Sequence, residues 1–314
     1  MGSLYNKNTI LGERPEVSVA LGSPIIQRKK VSVLNAMINP ALQEVIAVLG
    51  HPAAGNPAQF LFERVVAHDS LDWRFLTLEV APDRLAEALA GVSALGFAGC
   101  MLAGPLTEPA VGLTTSVSPA AQFAGGCNLL ERSKDGQLVG HLTLGRGALD
   151  SICLHADPLK THSLILGTNL LARSLALELT LAGAPGITIV DPWDHQASVL
   201  AEAINAVEGG NASAAEDELG SMDENVGIVI ATEDNRPIPA DFQLPELRED
   251  IVVVDTSLDP KASATLKAAT NANSCKIDGL EVTACIMALN FRNLTGIETD
   301  TGSLREALDE FLDY

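Results

Sequence analysis

The feature that most constrains this chain is a repeated rhythm. Short apolar runs stop at Gly, Asp or Pro, and each is followed by a segment with apolar residues at helical spacing. Residues 45–50 (VIAVLG) read as a short buried strand, and PAQFLFERVVAHD after them places Phe60, Leu61, Val65 and Val66 on one side of a helix. Residues 73–80 form a second strand, a helix follows with Asp83 near its start and Gly96 at its stop, and residues 97–105 form a third strand. The glycines at 140, 145 and 147 loosen the chain, ALDSICLHA reads as a connecting helix, and a second series begins. Its strands are residues 162–167, 186–191, 226–232 and 250–255, with helices over LLARSLALELTLAG, HQASVLAEAINAVE and ASATLKAAT. LEVTACIMALNFRNLTG and SLREALDEFL close the chain as two helices. Strand alternating with helix in each half predicts parallel sheets with right-handed crossovers, and hence an α/β fold of two domains flanking a cleft.

Length and charge fit that architecture. At roughly 150 residues per domain, 314 residues make about two domains. A 47% hydrophobic content with mean hydropathy +0.21 excludes a disordered chain. The net charge of −20 is uneven: residues 1–150 carry 13 acids and 11 bases, residues 151–314 carry 27 and 9. Such a surface repels phosphate backbones, so no nucleic-acid partner is expected. The five cysteines are widely spaced with no C-x-x-C pair, which predicts neither a disulfide framework nor a metal site; small buried thiols of a cytoplasmic protein are the expectation. The apolar runs are far shorter than the ~20 residues of a membrane span, and the first residues lack a basic, then apolar, leader pattern. Residues 1–44, with the basic cluster Arg28, Lys29 and Lys30, read as an N-terminal extension, and the acidic segment 208–225 as a solvated loop. A homodimer or a protein partner is compatible with both.

Several motifs then fall in order. AVLGHP at residues 47–52, GFAGCMLAGP at 96–105, GGCNLL at 125–130 and DGQLVGHLTLGRG at 135–147 are followed by IDGLEVTACIMALNFRNLTG at 277–296. This order resembles the shikimate dehydrogenase family across about residues 45–312. The resemblance implies a substrate domain at 45–148, completed by 280–314, and a Rossmann-like NAD(P)-type domain at 149–279. It also implies C-terminal helices that fold back on the first domain. The activity it implies is NADP-dependent reduction of 3-dehydroshikimate to shikimate, using a Lys and an Asp beside the reacting oxygen.

At those two positions this chain has Thr107 and Leu144. A hydroxyl without an adjacent base passes a proton poorly and a Leu not at all, and loss of general acid–base catalysis costs on the order of 10² to 10⁴ in rate. At the family's ligand positions only Asn128 and Thr143 remain polar, with Asn56 in a shortened first turn; these are the substrate-binding candidates, while Met101 and Ile286 stand where Asn and Gln are usual. The phosphate loop reads Gly167, Thr168, Asn169, Leu170, Leu171, Ala172, with one glycine where the family has several. Gly167, Thr168, Asn169 and Asp191 are the cofactor-binding candidates; Asp191 suits the ribose of NAD better than a 2′-phosphate, or is a strand-end Asp satisfied by backbone. His51 and Arg146 are each either site groups or solvated side chains, and Asp255 either lines the cleft or caps a loop. The expectation is a degenerate or non-catalytic homologue that takes a small molecule in its interdomain cleft. Two alternatives stay open: an active oxidoreductase with an altered substrate and NAD or NADP, and an interaction or scaffold subunit.

Overall fold

The computed structural model describes residues 43–312 apart from 69–70, 216–222, 233–235, 237, 240–241, 260 and 262. The basic cluster therefore lies outside the described residues, as does the middle of the acidic segment.

The first part of the chain runs β1 (Glu44–Gly50), α1 (Ala58–His68), β2 (Trp73–Glu79), α2 (Leu85–Ala94), β3 (Gly99–Leu102), β4 (Ser116–Val117), α3 (Pro119–Ala124), β5 (Leu129–Arg132) and β6 (Leu138–His141). These strands make one sheet in the order β2-β1-β3-β5-β6-β4. Alternation along β1 sends Ile46 and Val48 to one face and Ala47 and Leu49 to the other, so both faces need cover. The second face is covered by Leu85, Leu89 and Val92 of α2 and by Ala121 and Ala124 of α3.

The second part runs α4 (Leu144–Cys153), β7 (His162–Leu166), α5 (Leu170–Ala182), β8 (Ile187–Val190), α6 (Ala197–Asn205), β9 (Ala212–Ala214), β10 (Val226–Ala231), β11 (Val252–Asp255), α7 (Ala264–Asn271) and β12 (Cys275–Ile277). Its sheet is parallel throughout, in the order β12-β11-β10-β7-β8-β9. Counted from β7, that is the 3-2-1-4-5-6 order of a dinucleotide-type sheet. Ile165, Ile189, Ile228 and Ile230 pack under α4, α5 and α6, while Leu164, Leu166, Val229 and Val253 pack beneath Phe242 and Ala269.

Helices α8 (Gly279–Thr295) and α9 (Thr301–Phe311) return to the first sheet. Phe291 of α8 meets Phe62 edge-on with ring centroids 5.3 Å apart, and Phe62 meets Phe75 of β2 at 5.1 Å. Leu304 and Leu308 of α9 complete this core with Leu61 and Val65 of α1.

Helix α4 is the pivot of the molecule, lying between α5 and α8, and two of its residues must be glycine. A Cβ at Gly145 would sit 2.3 Å from the Ser174 backbone of α5, and one at Gly147 would sit 2.7 Å from Ile286 Cα of α8. The pair reads as loosening in the sequence; in the structure it is what lets three helices pack backbone to backbone.

The structure departs from the expected elements in three places. The first sheet is mixed, not parallel, because β5 and β6 pair as an antiparallel hairpin closed by a turn with Gly136 at φ 79°. Asp135-Gly136 is the turn signal behind it. Part of the acidic segment is not loop: Ala212–Ala214 pairs with β8 as the sheet's edge strand. Finally, Cys153 and Cys275 are exposed, whereas Cys100, Cys127 and Cys285 are buried as expected. Burial pushes the Cys127 thiol up to about 12 and that of Cys285 to about 11. Among the described residues no helix is long and apolar enough to cross a membrane, and no group of three His, Cys, Asp or Glu side chains is placed to hold a metal ion.

Candidate functional site

The strand order of the second sheet reverses between β7 and β10, and ligands of open α/β sheets sit outside the strand ends at such a point. The loop after β7 supplies this crevice. Gly167 takes φ 107°, a conformation that favours glycine. Thr168 donates its hydroxyl to Asp191 Oδ2 at 2.7 Å. Asn169 caps α5, its Oδ1 accepting from Ala172 N at 2.9 Å, while its amide donates across the crevice to the Thr232 carbonyl at the end of β10. Thr232 itself donates to the Leu166 carbonyl at 2.9 Å.

Asp191 is 1% exposed. Its Oδ1 accepts from the backbone N–H of Trp193 (3.3 Å) and Asp194 (3.2 Å), and its Oδ2 from Gln196 N (3.0 Å) in addition to Thr168. Two donors on each oxygen fill the four acceptor directions of a carboxylate. The side chain is thus tied into the turn after β8, the backbone-satisfied alternative of the two that the sequence left open. Asp194 behind it is held below the ordinary carboxylate range by a bidentate pair with Arg236, whose guanidinium also lies 5.9 Å over Trp193. Asp255 closes a loop too, accepting from Ser257 N (2.9 Å) and Ser263 Oγ (2.6 Å).

Across the cleft, Asn128 and Thr143 come together and are buried. Asn128 Nδ2 donates to Thr143 Oγ1 at 2.8 Å, and Thr143 N donates back to Asn128 Oδ1 at 2.8 Å. The Thr143 hydroxyl donates in turn to Asn290 Oδ1 at 2.6 Å. Asn290, on α8, is fully buried and its Nδ2 has no partner among the described residues. The sequence reading missed Asn290; the available signal was an amide one helical turn after Ile286, on the otherwise apolar buried face of its helix. Asn56 is not part of this cluster: its Oδ1 accepts from Ala58 N at 3.0 Å and fixes the start of α1.

Thr107 lies on the turn after β3 and donates its hydroxyl to the Gly104 carbonyl at 3.1 Å. Leu144 opens α4 and packs against the cores of both sheets, together with Ala120 and Phe123 of α3. Leu170 crosses the cleft from α5 into the first core, so close to Gly126 that a Cβ there would stand 2.7 Å from Leu170 Cδ1. One turn on, Arg173 pairs with Glu108, the neighbour of Thr107, at 2.6 Å. Of the two remaining charged candidates, His51 is half-exposed with Nδ1 2.8 Å from Glu79 Oε1, and Arg146 bonds Asp150 at 2.9 Å on its own helix. His141, at the end of β6, is held below its ordinary value by burial, partly offset by Glu131.

No model of a known protein family matches the chain. Its relatives are more informative. The chain is 27% identical over 278 residues to the shikimate dehydrogenase (NADP(+)) of Methanopyrus kandleri, covering 85% of this chain and 96% of that one. It superimposes on the shikimate 5-dehydrogenase of Thermus thermophilus, solved in complex with shikimate, with a TM-score of 0.74 at 26% identity, covering 87% of this chain and 100% of that one. A ligand-free 5-ketofructose reductase of a Gluconobacter species matches with a TM-score of 0.78 at 26% identity, over 86% of this chain and 99% of that one. With the strand order and the returning helices, these relatives make the chain similar to the shikimate dehydrogenases over most of its length.

Proposed function

We propose that this chain is a non-catalytic member of its family, in which the interdomain site has become part of the molecule's own packing. The observation that carries the reading is Leu144, an apolar side chain shared by both domain cores at the position where the family's catalytic Asp is expected. Thr107, at the Lys position, offers a hydroxyl already donated to Gly104. Neither can move a proton to or from a ketone oxygen. In this reading residues 45–148 with 280–314 form the substrate-type domain and 149–279 the nucleotide-type domain, in a cytoplasmic protein.

The residues present do not fit NADP. The side chains of Thr168, Asn169 and Asp191 are each spent on partners inside the chain, Leu170 stands where backbone must approach a pyrophosphate, and the acidic Asp191 opposes a 2′-phosphate. The substrate candidates Asn128 and Thr143 are likewise turned toward each other and Asn290. The test is turnover of shikimate or quinate with NADP or NAD. None above background is expected, and a rate of about 1 s⁻¹, the low end of ordinary enzymes, sinks the reading.

The likeness to a 5-ketofructose reductase favours a second reading, an active oxidoreductase with a different carbonyl substrate. It requires that NAD or NADP bind at millimolar concentration, and calorimetry that detects no binding removes it.

A further inference from the structure

We propose that Leu170 is the residue that shuts the nucleotide crevice of this chain, acting as a wedge between the two domains. The inference rests on the reading above that no dinucleotide is bound, and it names the side chain responsible.

Three observations converge on this residue. First, Leu170 is the opening residue of α5 and follows directly on Gly167, Thr168 and Asn169, so its side chain leaves the helix at the point of closest backbone approach to a ligand. Second, that side chain is directed out of its own domain: it joins the core beneath the first sheet and lies against Gly126, where even one added carbon would collide with both of its methyl groups (2.7 and 2.8 Å). Third, the ion pair Arg173–Glu108, one turn further along α5, fastens the same helix to the turn that carries Thr107. The wedge and the pair therefore hold the phosphate loop against the opposite wall of the cleft. Asn169, the residue before it, is bridged to the Thr232 carbonyl at the end of β10.

A wedge of this kind is a size gate, and removing its bulk should open the crevice. The Gly126 side supplies no spare bulk, and Gly is tolerated at the first position of a helix, where propensity matters least. The experiment is calorimetric titration of the unaltered chain, of Leu170→Gly and of Leu170→Gly/Asn169→Gly with NADP and, separately, with NAD. Thermal melting of each variant checks that it is folded, and Leu170→Ala replaces Leu170→Gly if the latter is not. The expected result is no heat of binding for the unaltered chain at millimolar nucleotide, measurable binding by the single variant, and a further gain of about tenfold in the double variant, which also frees the helix N-terminus. Folded variants that bind no nucleotide overturn the wedge while leaving the non-catalytic reading intact. An unaltered chain that binds as tightly as Leu170→Gly overturns both. A second readout is independent of nucleotide: Gly126→Ala should lower the melting temperature of the unaltered chain but not of Leu170→Ala. Equal losses in the two backgrounds contradict the contact.

Discussion

The buried cluster Asn128–Thr143–Asn290 allows the sharpest quantitative prediction. Replacing Thr143 by Val keeps the shape and removes one oxygen. That oxygen accepts from Asn128 Nδ2 and donates to Asn290 Oδ1, so two polar groups lose their partner in a place water does not reach. At about 1–3 kcal/mol for each buried group left unsatisfied, the sum is about 2–6 kcal/mol, and partial re-pairing of the two amides points to the middle of that range, about 3 kcal/mol. Asn290→Leu should cost much less, about 1 kcal/mol or under. It deletes an amide whose Nδ2 is already unpartnered, and the Thr143 hydroxyl can turn to Asn128 Oδ1, which is 3.1 Å away. The double variant should then cost less than the sum of the singles by about 1–2 kcal/mol, because the two lost partners are partners of each other. Urea unfolding followed by tryptophan fluorescence measures all four proteins; Trp73 reports the first domain and Trp193 the second. A Thr143→Val cost under about 0.5 kcal/mol, or additivity within that margin, would refute the claim that these side chains satisfy one another in place of a ligand.

Two further predictions follow from burial and charge. A thiol reagent should modify Cys153 and Cys275 in the folded protein and reach Cys100, Cys127 and Cys285 only on unfolding; rapid labelling of all five would contradict the packing around them. At the N-terminus of α8, burial alone would raise the Asp278 carboxyl, but two Arg305 bonds of 2.6 Å and the Glu281 N–H outweigh it and hold it below its ordinary value. The folded state thus binds fewer protons than the unfolded one, and this contribution is complete above the ordinary Asp value of about 4 and lost as pH falls through the depressed one. Arg305→Met should lower stability at pH 7 by about 1–2 kcal/mol, discounted for the pair's partial exposure, and flatten the loss as pH falls below about 4. An unchanged acid limb in the variant would show that the pair is not its source.

Much of the architecture was readable because it is periodic. Apolar runs of strand length alternate with amphipathic segments, and the parallel strands of both sheets and the helices between them follow from that pattern, while the return of α8 and α9 is what the family resemblance implies. What was hidden is short or non-local. The β5–β6 hairpin consists of four-residue strands around one Asp-Gly turn, and β9 carries only Ala, Ser and Ala, which give no pattern at all. The site shows the same division. Thr107 and Leu144 stand out only through the family resemblance, which marks the positions they occupy, whereas Asp191 is legible as a strand-end carboxylate from its place after an apolar run. That Asn128 and Thr143 close on a third side chain, Asn290, 147 residues from Thr143, is a property of helix packing and has no local signature. Nor does the fit of Leu170 against Gly126, for which the sequence offers only a bulky residue in one loop and a glycine in another.

The central claim is that this scaffold has lost hydride-transfer chemistry along with its proton-transfer pair. The most direct measurement is the initial rate of nicotinamide reduction by the unaltered chain at high enzyme concentration, with shikimate and quinate each paired with NADP and NAD. Ordinary turnover begins at about 1 s⁻¹, and loss of general acid–base catalysis alone removes a factor of about 10² to 10⁴. The expected rate is therefore below about 10⁻² s⁻¹ with every pair, and a rate near 1 s⁻¹ with any one of them would contradict the claim.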